Sequence, residues 1–264
     1  MPYVSSHGVR IRYETDGNGP PLVLHCGGFG GSLDDWIDAG YVVELRDDYR
    51  VIMLDPRGQG QSGKPHDPAA YSWQGRAGDV VAVLDALGVE RAHFWGYSLG
   101  ARIGFAIGTT APERVESLVL GGAGPDAYTG PRGDDDPVIQ GLRRGMAAVV
   151  ADWETTSDDF WISVEERERW LAADPQAIIA SWTSGTAHPG FVDVLPSIEI
   201  PALLYCGTED NPEPMRRAAQ LMPDATFVEL EGLDHAAAQS RHDLVLPHVR
   251  PFLERVAQAT VALS

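Results

Sequence analysis

The sequence predicts an α/β fold, with a mostly parallel β-sheet and helices on both of its faces. Short apolar runs with strand periodicity alternate with helical stretches through the first 120 residues. The same alternation resumes near residue 200, and strands joined by helices of this length pair in parallel. A chain of 264 residues is long enough to form one large domain of this class.

The predicted strands are short and are separated by stretches rich in Gly, Pro and Asp. A half-exposed strand is predicted at residues 9–15, where polar and apolar residues alternate. Buried strands are predicted at residues 22–24, 50–55, 115–120, 200–207 and 226–230, and in the run that begins at Arg91. Helices are predicted near residue 34 with Ser32 as cap, at residues 75–87 with Gly88 as stop, at residues 214–222, and in a closing helix that ends near Val261.

The strand that begins at Arg91 runs into the pattern Gly-x-Ser-x-Gly, formed by Gly96, Ser98 and Gly100, and helix-forming residues follow. This order of strand, sharp turn and helix is the layout of a nucleophile elbow. The glycines are needed because a Cβ atom there would collide with the neighbouring strand or helix. The following helix directs its free N–H groups toward the place where negative charge develops in a reaction. Ser98 is therefore a candidate nucleophile.

Between residues 126 and 197 there is no β pattern, and the sequence predicts several helices, one of them with a solvated start at the acidic run 134–136. We expect residues 126–197 to form a helical cap over a core made of residues 1–125 and 198–264, with an apolar pocket between the layers. Large aromatic side chains in this segment line that pocket or form the cap's own core: Trp153, Phe160, Trp161, Trp170 and Trp182.

The charge of the chain argues against several classes of function. Twenty basic and 38 acidic residues give a formal net charge of −18, which repels nucleic acids and anionic lipid surfaces. No apolar run approaches the roughly 20 residues that span a bilayer, and the N-terminus lacks the basic start and apolar core of a secretory signal. We expect a cytoplasmic protein that binds neither nucleic acid nor membrane, and the sequence leaves its oligomeric state open.

No cofactor or metal site is expected. No His or Cys pair has the spacing of metal ligands. Cys26 and Cys206 each end an apolar run and are predicted to be buried free thiols. The segment from Gly58 to Gly63 matches the dinucleotide-binding pattern G-x-G-x-x-G, but it lacks the strand-to-helix passage and the downstream acidic residue that such a site requires.

A serine hydroxyl needs a base to take its proton and a third group to orient that base. The chain supplies Ser98, Asp210 and His235 in that order, with the last two following successive predicted strands. In this order of nucleophile, acid and histidine, the sequence resembles the α/β-hydrolase fold family. The segments that carry the resemblance are spread over nearly the whole chain: residues 25–32, 55–62, 96–100, 207–210 and 232–235.

The resemblance implies an eight-stranded, mostly parallel sheet with helices on both faces and an inserted helical cap. It also implies a role for each matching residue. Ser98 would be the nucleophile, His235 the base and then the acid, and Asp210 the orienting carboxylate. The N–H of Leu99 would be one donor of the oxyanion hole, which binds the negative oxygen of the transition state.

The second donor is expected in the glycine loop after the strand that ends at residue 24. In the family this loop begins His-Gly-x, with x as donor, whereas here His25 is followed by Cys26, Gly27, Gly28 and Phe29. Counting back from the Gly-Gly-Ser at residues 30–32, the predicted donor is the N–H of Phe29, with Gly27 and Gly28 as alternatives.

Other residues also offer carboxylates or imidazoles. Glu209 adjoins Asp210, and Asp126 follows another predicted strand, so both are alternatives for the acid. A further group is predicted to be structural, with the last of them in a turn: His25, His93, His242, His248 and Asp234.

A serine nucleophile favours acyl transfer, whereas family members that act on epoxides or haloalkanes carry aspartate at the elbow. The size of the chain, its single cap and its elbow sequence are similar to those of small carboxylesterases and enol-lactonases. We therefore expect a hydrolase that cleaves an ester or lactone of a small, largely apolar substrate. The alternatives are a cofactor-free haloperoxidase or perhydrolase, a carbon–carbon bond hydrolase, and a ligand-binding receptor with a slow triad.

Overall fold

The computed structural model describes residues 2–128, 133–156, 163–184 and 189–263. Its centre is an eight-stranded sheet with the order β1-β2-β4-β3-β5-β6-β7-β8. β1 pairs antiparallel with β2 and β2 with β4, and all other neighbours pair in parallel. This confirms the predicted sheet. Its strands are β1 (Tyr3–Ser6), β2 (Val9–Asp16), β3 (Pro21–His25), β4 (Arg50–Leu54), β5 (Ala92–Tyr97), β6 (Val115–Gly121), β7 (Ala202–Gly207) and β8 (Ala225–Leu230).

Helices cover both faces of the sheet, as predicted. Side chains alternate along β5, so that Phe94 packs into an apolar cluster with α3, α4 and α9 on one face, and Trp95 into a second cluster with α1, α2, α10 and α11 on the other. These helices are α1 (Asp34–Asp38), α2 (Tyr41–Leu45), α3 (Trp73–Ala86), α4 (Leu99–Thr110), α9 (Glu213–Leu221), α10 (His235–Ser240) and α11 (His242–Leu263).

The parallel register brings the carboxyl ends of the central strands to one edge of the sheet. His25 at the end of β3 lies opposite Gly96 of β5, and Gly207 at the end of β7 lies opposite Leu230 of β8. The loops that follow these strands therefore open on the same side, which is where open α/β sheets hold their sites.

In its described residues, the chain between β6 and β7 forms helices joined by loops, and its β structure is an isolated bridge between Asp126 and Gly190. A small apolar cluster of its own includes Leu142 and Ile178, and Phe29 of the glycine loop packs against this cluster. Phe160 and Trp161 lie outside the described residues. The helices are α5 (Pro137–Arg143), α6 (Met146–Thr156), α7 (Val164–Leu171) and α8 (Pro175–Ser184).

Three local predictions are corrected by the structure. The N-cap residue of α1 is Leu33, and the hydroxyl of Ser32 accepts a hydrogen bond from the N–H of Asp34 instead. Helix α3 begins at Trp73, two residues earlier than predicted. Asp136 is buried rather than solvated, because it caps α5 and also accepts a hydrogen bond from an indole.

Within the described ranges, no helix is both long enough and apolar enough to cross a bilayer.

Candidate active site

Ser98 stands between β5 and α4 in a strained backbone conformation, with φ 54° and ψ −113°. Two close approaches of the backbone enforce this turn. A Cβ atom on Gly96 would lie 2.2 Å from the carbonyl oxygen of Gly100, and one on Gly100 would lie 2.2 Å from that of His25. The glycines of the motif therefore let β5, α4 and the end of β3 meet, and the meeting point presents the serine hydroxyl at the sheet edge.

The structure brings His235 within hydrogen-bonding distance of both Ser98 and Asp210. The Nε2 atom of His235 lies 3.1 Å from Ser98 Oγ, and its Nδ1 atom lies 2.6 Å from Asp210 Oδ2. Asp210 is in the turn after β7. His235 follows β8 and is the first residue of α10, where the side chain of Asp234 caps the helix by accepting from the N–H of Ala237.

The charge of Asp210 fixes the proton arrangement on the imidazole. Burial raises the pKa of this carboxyl group, but the hydrogen bond and charge of His235, with the N–H of Asn211, outweigh burial and leave the pKa below its usual range. Asp210 is therefore a carboxylate near neutral pH and can only accept a hydrogen bond. Nδ1 of a neutral His235 must then carry the proton, which leaves the lone pair of Nε2 facing Ser98.

The glycine loop lies directly against the elbow. Cβ atoms on Gly27 and Gly28 would lie 3.4 Å from Ser98 Cβ and 3.8 Å from Leu99 Cβ, respectively. Phe29 has a positive φ of 57°, which is uncommon for an aromatic residue. Leu99 is the first residue of α4, so its N–H has no acceptor within the helix. No hydrogen bond among the described residues uses the Phe29 N–H as donor.

Aromatic side chains from the helices between β6 and β7 lie over the glycine loop. The ring of Phe29 is 5.0 Å from that of Trp182 and 6.0 Å from that of Trp153, centroid to centroid. Trp153 in turn contacts Trp170 at 4.9 Å. The indole N–H of Trp182 donates to Asp136 Oδ2 at 2.8 Å, which fixes the orientation of its ring. The surroundings of Phe29 are thus apolar and aromatic.

Neither alternative carboxylate lies at the imidazole. Glu209 is exposed and uses its backbone N–H to bond the carbonyl of Leu233. Asp126 forms an ion pair with Arg217 of α9.

Two other histidines, His25 and His93, are buried, and their rings form hydrogen bonds to groups other than Ser98 Oγ. The ring of His25 is buried and bonds the carbonyl of Cys26, and burial lowers its pKa to about 4. The ring of His93 is also buried and bonds Ser117 Oγ at 2.8 Å.

In the described part of the chain, no group of three His, Cys, Asp or Glu side chains is placed to hold a metal ion.

Two contacts at this site have no signal in the sequence. The hydroxyl of Tyr97 donates to the backbone carbonyl of His235, and the thiol of Cys206 lies 3.8 Å from Asp210 Oδ2. Cys26 and Cys206 are buried and free, as predicted. The first contact joins the end of β5 to the start of α10, 138 residues apart. The second joins residues four apart, at the end of β7 and in the turn that follows it.

Comparison with known proteins places this geometry in a family. The model of the alpha/beta hydrolase fold matches residues 20–158. The chain is 30% identical to the non-heme chloroperoxidase of Streptomyces lividans, over 95% of this chain and 98% of that protein. It is 28% identical to a putative carbamate hydrolase RutD of Azorhizobium caulinodans, over 89% and 92%. The crystal structure of the enol-lactonase from Burkholderia xenovorans LB400 superposes with a TM-score of 0.82 at 27% identity, over 96% of this chain and 100% of that one. This chain belongs to the α/β-hydrolase fold family.

Proposed function

We propose that the protein is a serine hydrolase that cleaves a carboxylic ester or lactone of a small, largely apolar substrate through an acyl-enzyme intermediate. The observation that carries the proposal is the chain of contacts from Ser98 Oγ to His235 Nε2 and from His235 Nδ1 to Asp210 Oδ2. This arrangement supplies a nucleophile, a base that contacts it, and a carboxylate that orients the base.

In the first half of the reaction, His235 Nε2 takes the proton of the Ser98 hydroxyl while Oγ attacks the carbonyl carbon of the substrate. The carbonyl oxygen becomes an oxyanion, which accepts hydrogen bonds from the N–H groups of Phe29 and Leu99 and lies near the positive end of α4. His235 then gives its proton to the leaving alkoxide. An ester releases its alcohol at this step, whereas the alkoxide of a lactone stays attached to the acyl chain.

In the second half, a water molecule attacks the acyl-enzyme. His235 takes a proton from this water, the same two N–H groups hold the new oxyanion, and the bond to Ser98 Oγ breaks as the serine recovers its proton from His235. Asp210 keeps its negative charge throughout and stabilises the imidazolium that forms in each half.

We assign residues 126–197 to a cap that shapes the substrate pocket, and the aromatic contacts above Phe29 support this assignment. Trp153 and Trp182 come from this segment and contact the ring of Phe29. A substrate carbonyl bound at the Phe29 N–H would have these apolar rings beside it, which favours a small molecule with apolar substituents. The similarity to an enol-lactonase supports lactones as well as simple esters.

The test is hydrolysis of p-nitrophenyl esters from acetyl to decanoyl, together with γ- and δ-lactones. Ser98→Ala and His235→Ala are the matched blanks. We expect turnover by the native protein and loss of nearly all of it in both variants, with unchanged thermal unfolding. Normal activity in either variant would contradict the proposal. Absence of turnover across the panel would instead favour carbon–carbon bond cleavage or a ligand-binding role with a slow triad.

A second candidate is perhydrolysis, which the similarity to a non-heme chloroperoxidase favours. Here hydrogen peroxide would replace water in the second half, so that an acetyl-enzyme formed from acetic acid gives peracetic acid and free Ser98. The peracid would then oxidise bromide to hypobromite in solution. Bromination of monochlorodimedone in acetate with peroxide, and its loss in Ser98→Ala, would support this activity.

A further inference from the structure

The side chain of Gln59 spans the glycine loop beside Ser98. Its Oε1 atom accepts a hydrogen bond from the N–H of Gly30 at 2.7 Å, and its Nε2 atom donates to the carbonyl oxygen of Gly27 at 3.3 Å. The orientation of the amide follows from chemistry, because an N–H group can only donate and a carbonyl oxygen can only accept. Gln59 is 4% exposed, so water competes little for either bond.

The two bonds bracket the peptide that carries the Phe29 N–H. Gly27 lies before this peptide and Gly30 after it, and a bond from the Gly31 N–H to the Gly28 carbonyl closes the turn between them. Phe29 itself has a positive φ of 57°. Glycines on both sides give the loop little conformational preference of its own. The conformation of Phe29 therefore depends on restraints from outside the loop.

The turn that carries Gln59 is itself fixed. Asp55, at the end of β4, is fully buried and accepts from the N–H of Gln61 at 2.6 Å and from the N–H of Leu33 at 2.9 Å. A Cβ atom on Gly60 would lie 2.3 Å from Asp55 Cγ, so the carboxylate fits only against a glycine. The side chain of Gln59 therefore extends to the glycine loop from a turn that Asp55 holds in one conformation.

We infer that Gln59 is a positioning residue, which holds the Phe29 N–H in the orientation of an oxyanion donor. The inference rests on the proposed function, because it requires Phe29 to serve as that donor. It also gives a role to the glycine pattern at residues 58–63. This pattern matches the dinucleotide-binding sequence G-x-G-x-x-G but lacks the strand-to-helix passage that such a site requires. The pattern allows a tight turn around the Asp55 carboxylate and directs Gln59 at the loop.

The test compares Gln59→Met with Gln61→Met. Methionine at residue 59 keeps the length of the side chain but forms neither hydrogen bond. Gln61 is a matched control because it lies in the same turn, is exposed, and accepts only a bond from the Tyr3 hydroxyl among the contacts of its side chain in the described residues. The readouts are kcat and KM with the best ester, the Ki of an alkyl trifluoromethyl ketone, and the thermal midpoint. The ketone forms an adduct with Ser98 that places an oxyanion at the same two donors.

For Gln59→Met we expect kcat to fall about 10- to 100-fold, Ki to rise by a similar factor, and KM to stay within about twofold. Gln61→Met should match the native protein in all three. A kcat and Ki for Gln59→Met equal to those of the control would overturn the inference, as would a change confined to KM. Should Gln59→Met fail to fold, Gln59→Asn carries the same expectation, because its shorter amide cannot span both partners.

The two proposals fail in different ways. A native protein without Ser98-dependent turnover contradicts the proposed function. An active native protein whose folded Gln59 variants behave like the control contradicts only the role of Gln59.

Discussion

The hydroxyl of Tyr97 donates a hydrogen bond to the backbone carbonyl of His235, with 2.6 Å between the two oxygens. The two rings also contact, with their centroids 5.2 Å apart. Burial raises the pKa of the Tyr97 hydroxyl well above its usual range, so the group remains a donor. Because Tyr97 immediately precedes Ser98, this bond ties the position of the histidine to the turn that holds the serine.

Tyr97→Phe removes this bond and keeps the aromatic ring. A neutral hydrogen bond of this kind contributes about 1 kcal/mol, and its loss frees His235 to move relative to Ser98. We expect kcat to fall about tenfold while KM is unchanged. Tyr71→Phe is the control, since it removes a similar bond to the carbonyl of Pro65. Equal kcat values for the two variants would show that the Tyr97 bond serves stability alone.

Asp210→Asn tests the assignment of the acid. The amide can present its NH₂ group to Nδ1 of His235 and so stabilise the wrong tautomer, in which Nε2 carries the proton and cannot accept one from Ser98. We expect kcat to fall about 10⁴-fold with little change in KM. Glu209→Gln, one residue earlier and exposed, should retain native activity. The opposite result would make Glu209 the acid.

Gly96→Ala tests the packing that forms the elbow. The added methyl group would lie 2.2 Å from the carbonyl oxygen of Gly100, and backbone rather than a flexible side chain would have to move. We expect the free energy of unfolding to fall by about 3 kcal/mol and turnover to be lost with it. In Gly141→Ala, on α5, the nearest atom would be 3.6 Å away, so this variant should be as stable as the native protein or slightly more so. Urea denaturation of both variants measures the difference.

The elbow and the sheet were predictable because they follow from local sequence. Gly96 and Gly100 flank Ser98 at fixed spacing, and an apolar run precedes them, so the strand, turn and helix are all recorded in one short segment. Strand β1 (Tyr3–Ser6) was not predicted, because it is short and mostly exposed at the edge of the sheet. An edge strand needs no apolar face, and therefore leaves little pattern.

The parts of the site that the sequence did not predict depend on contacts between distant residues. Gln59 lies 29 residues from Gly30, and Tyr97 lies 138 residues from His235. Asp136 was predicted to be solvated because it belongs to an acidic run, yet the indole of Trp182 buries it. Polar side chains carry no periodicity that reveals such partners, so only the folded chain shows them.

Titration of the Asp35 carboxyl group should make the free energy of unfolding depend on pH. Burial raises its pKa to about 7, although the N–H of Ser32 and the charge of Arg169 favour the carboxylate. Between about pH 4 and pH 7 the folded protein holds a proton that the unfolded chain has released. The stability from this group is therefore complete below pH 4 and is lost as the pH rises to 7, by at most about 1.4 kcal/mol per pH unit.

Asp35→Asn cannot titrate and should lack this decline. Urea unfolding of both proteins at pH 4, 5, 6 and 7 gives the difference in free energy of unfolding, in which the titration of all other groups largely cancels. We expect the native protein to lose stability relative to the variant as the pH rises. A difference that is constant across these pH values would show that Asp35 has an ordinary pKa.

Trp182 gives a prediction about substrate length. Its ring contacts that of Phe29, whose N–H is the proposed oxyanion donor, and we therefore expect the indole to lie close to the bound acyl group. Trp182→Ala would open room for several methylene groups, each worth about 0.8 kcal/mol when buried. We expect the ratio of kcat/KM for the octanoyl ester to that for the acetyl ester to rise about tenfold or more. Trp182→Phe keeps a smaller ring and should fall between the two. A ratio that stays constant in all three proteins, with turnover retained, would place the acyl chain elsewhere and assign Trp182 to the internal packing of the helical segment.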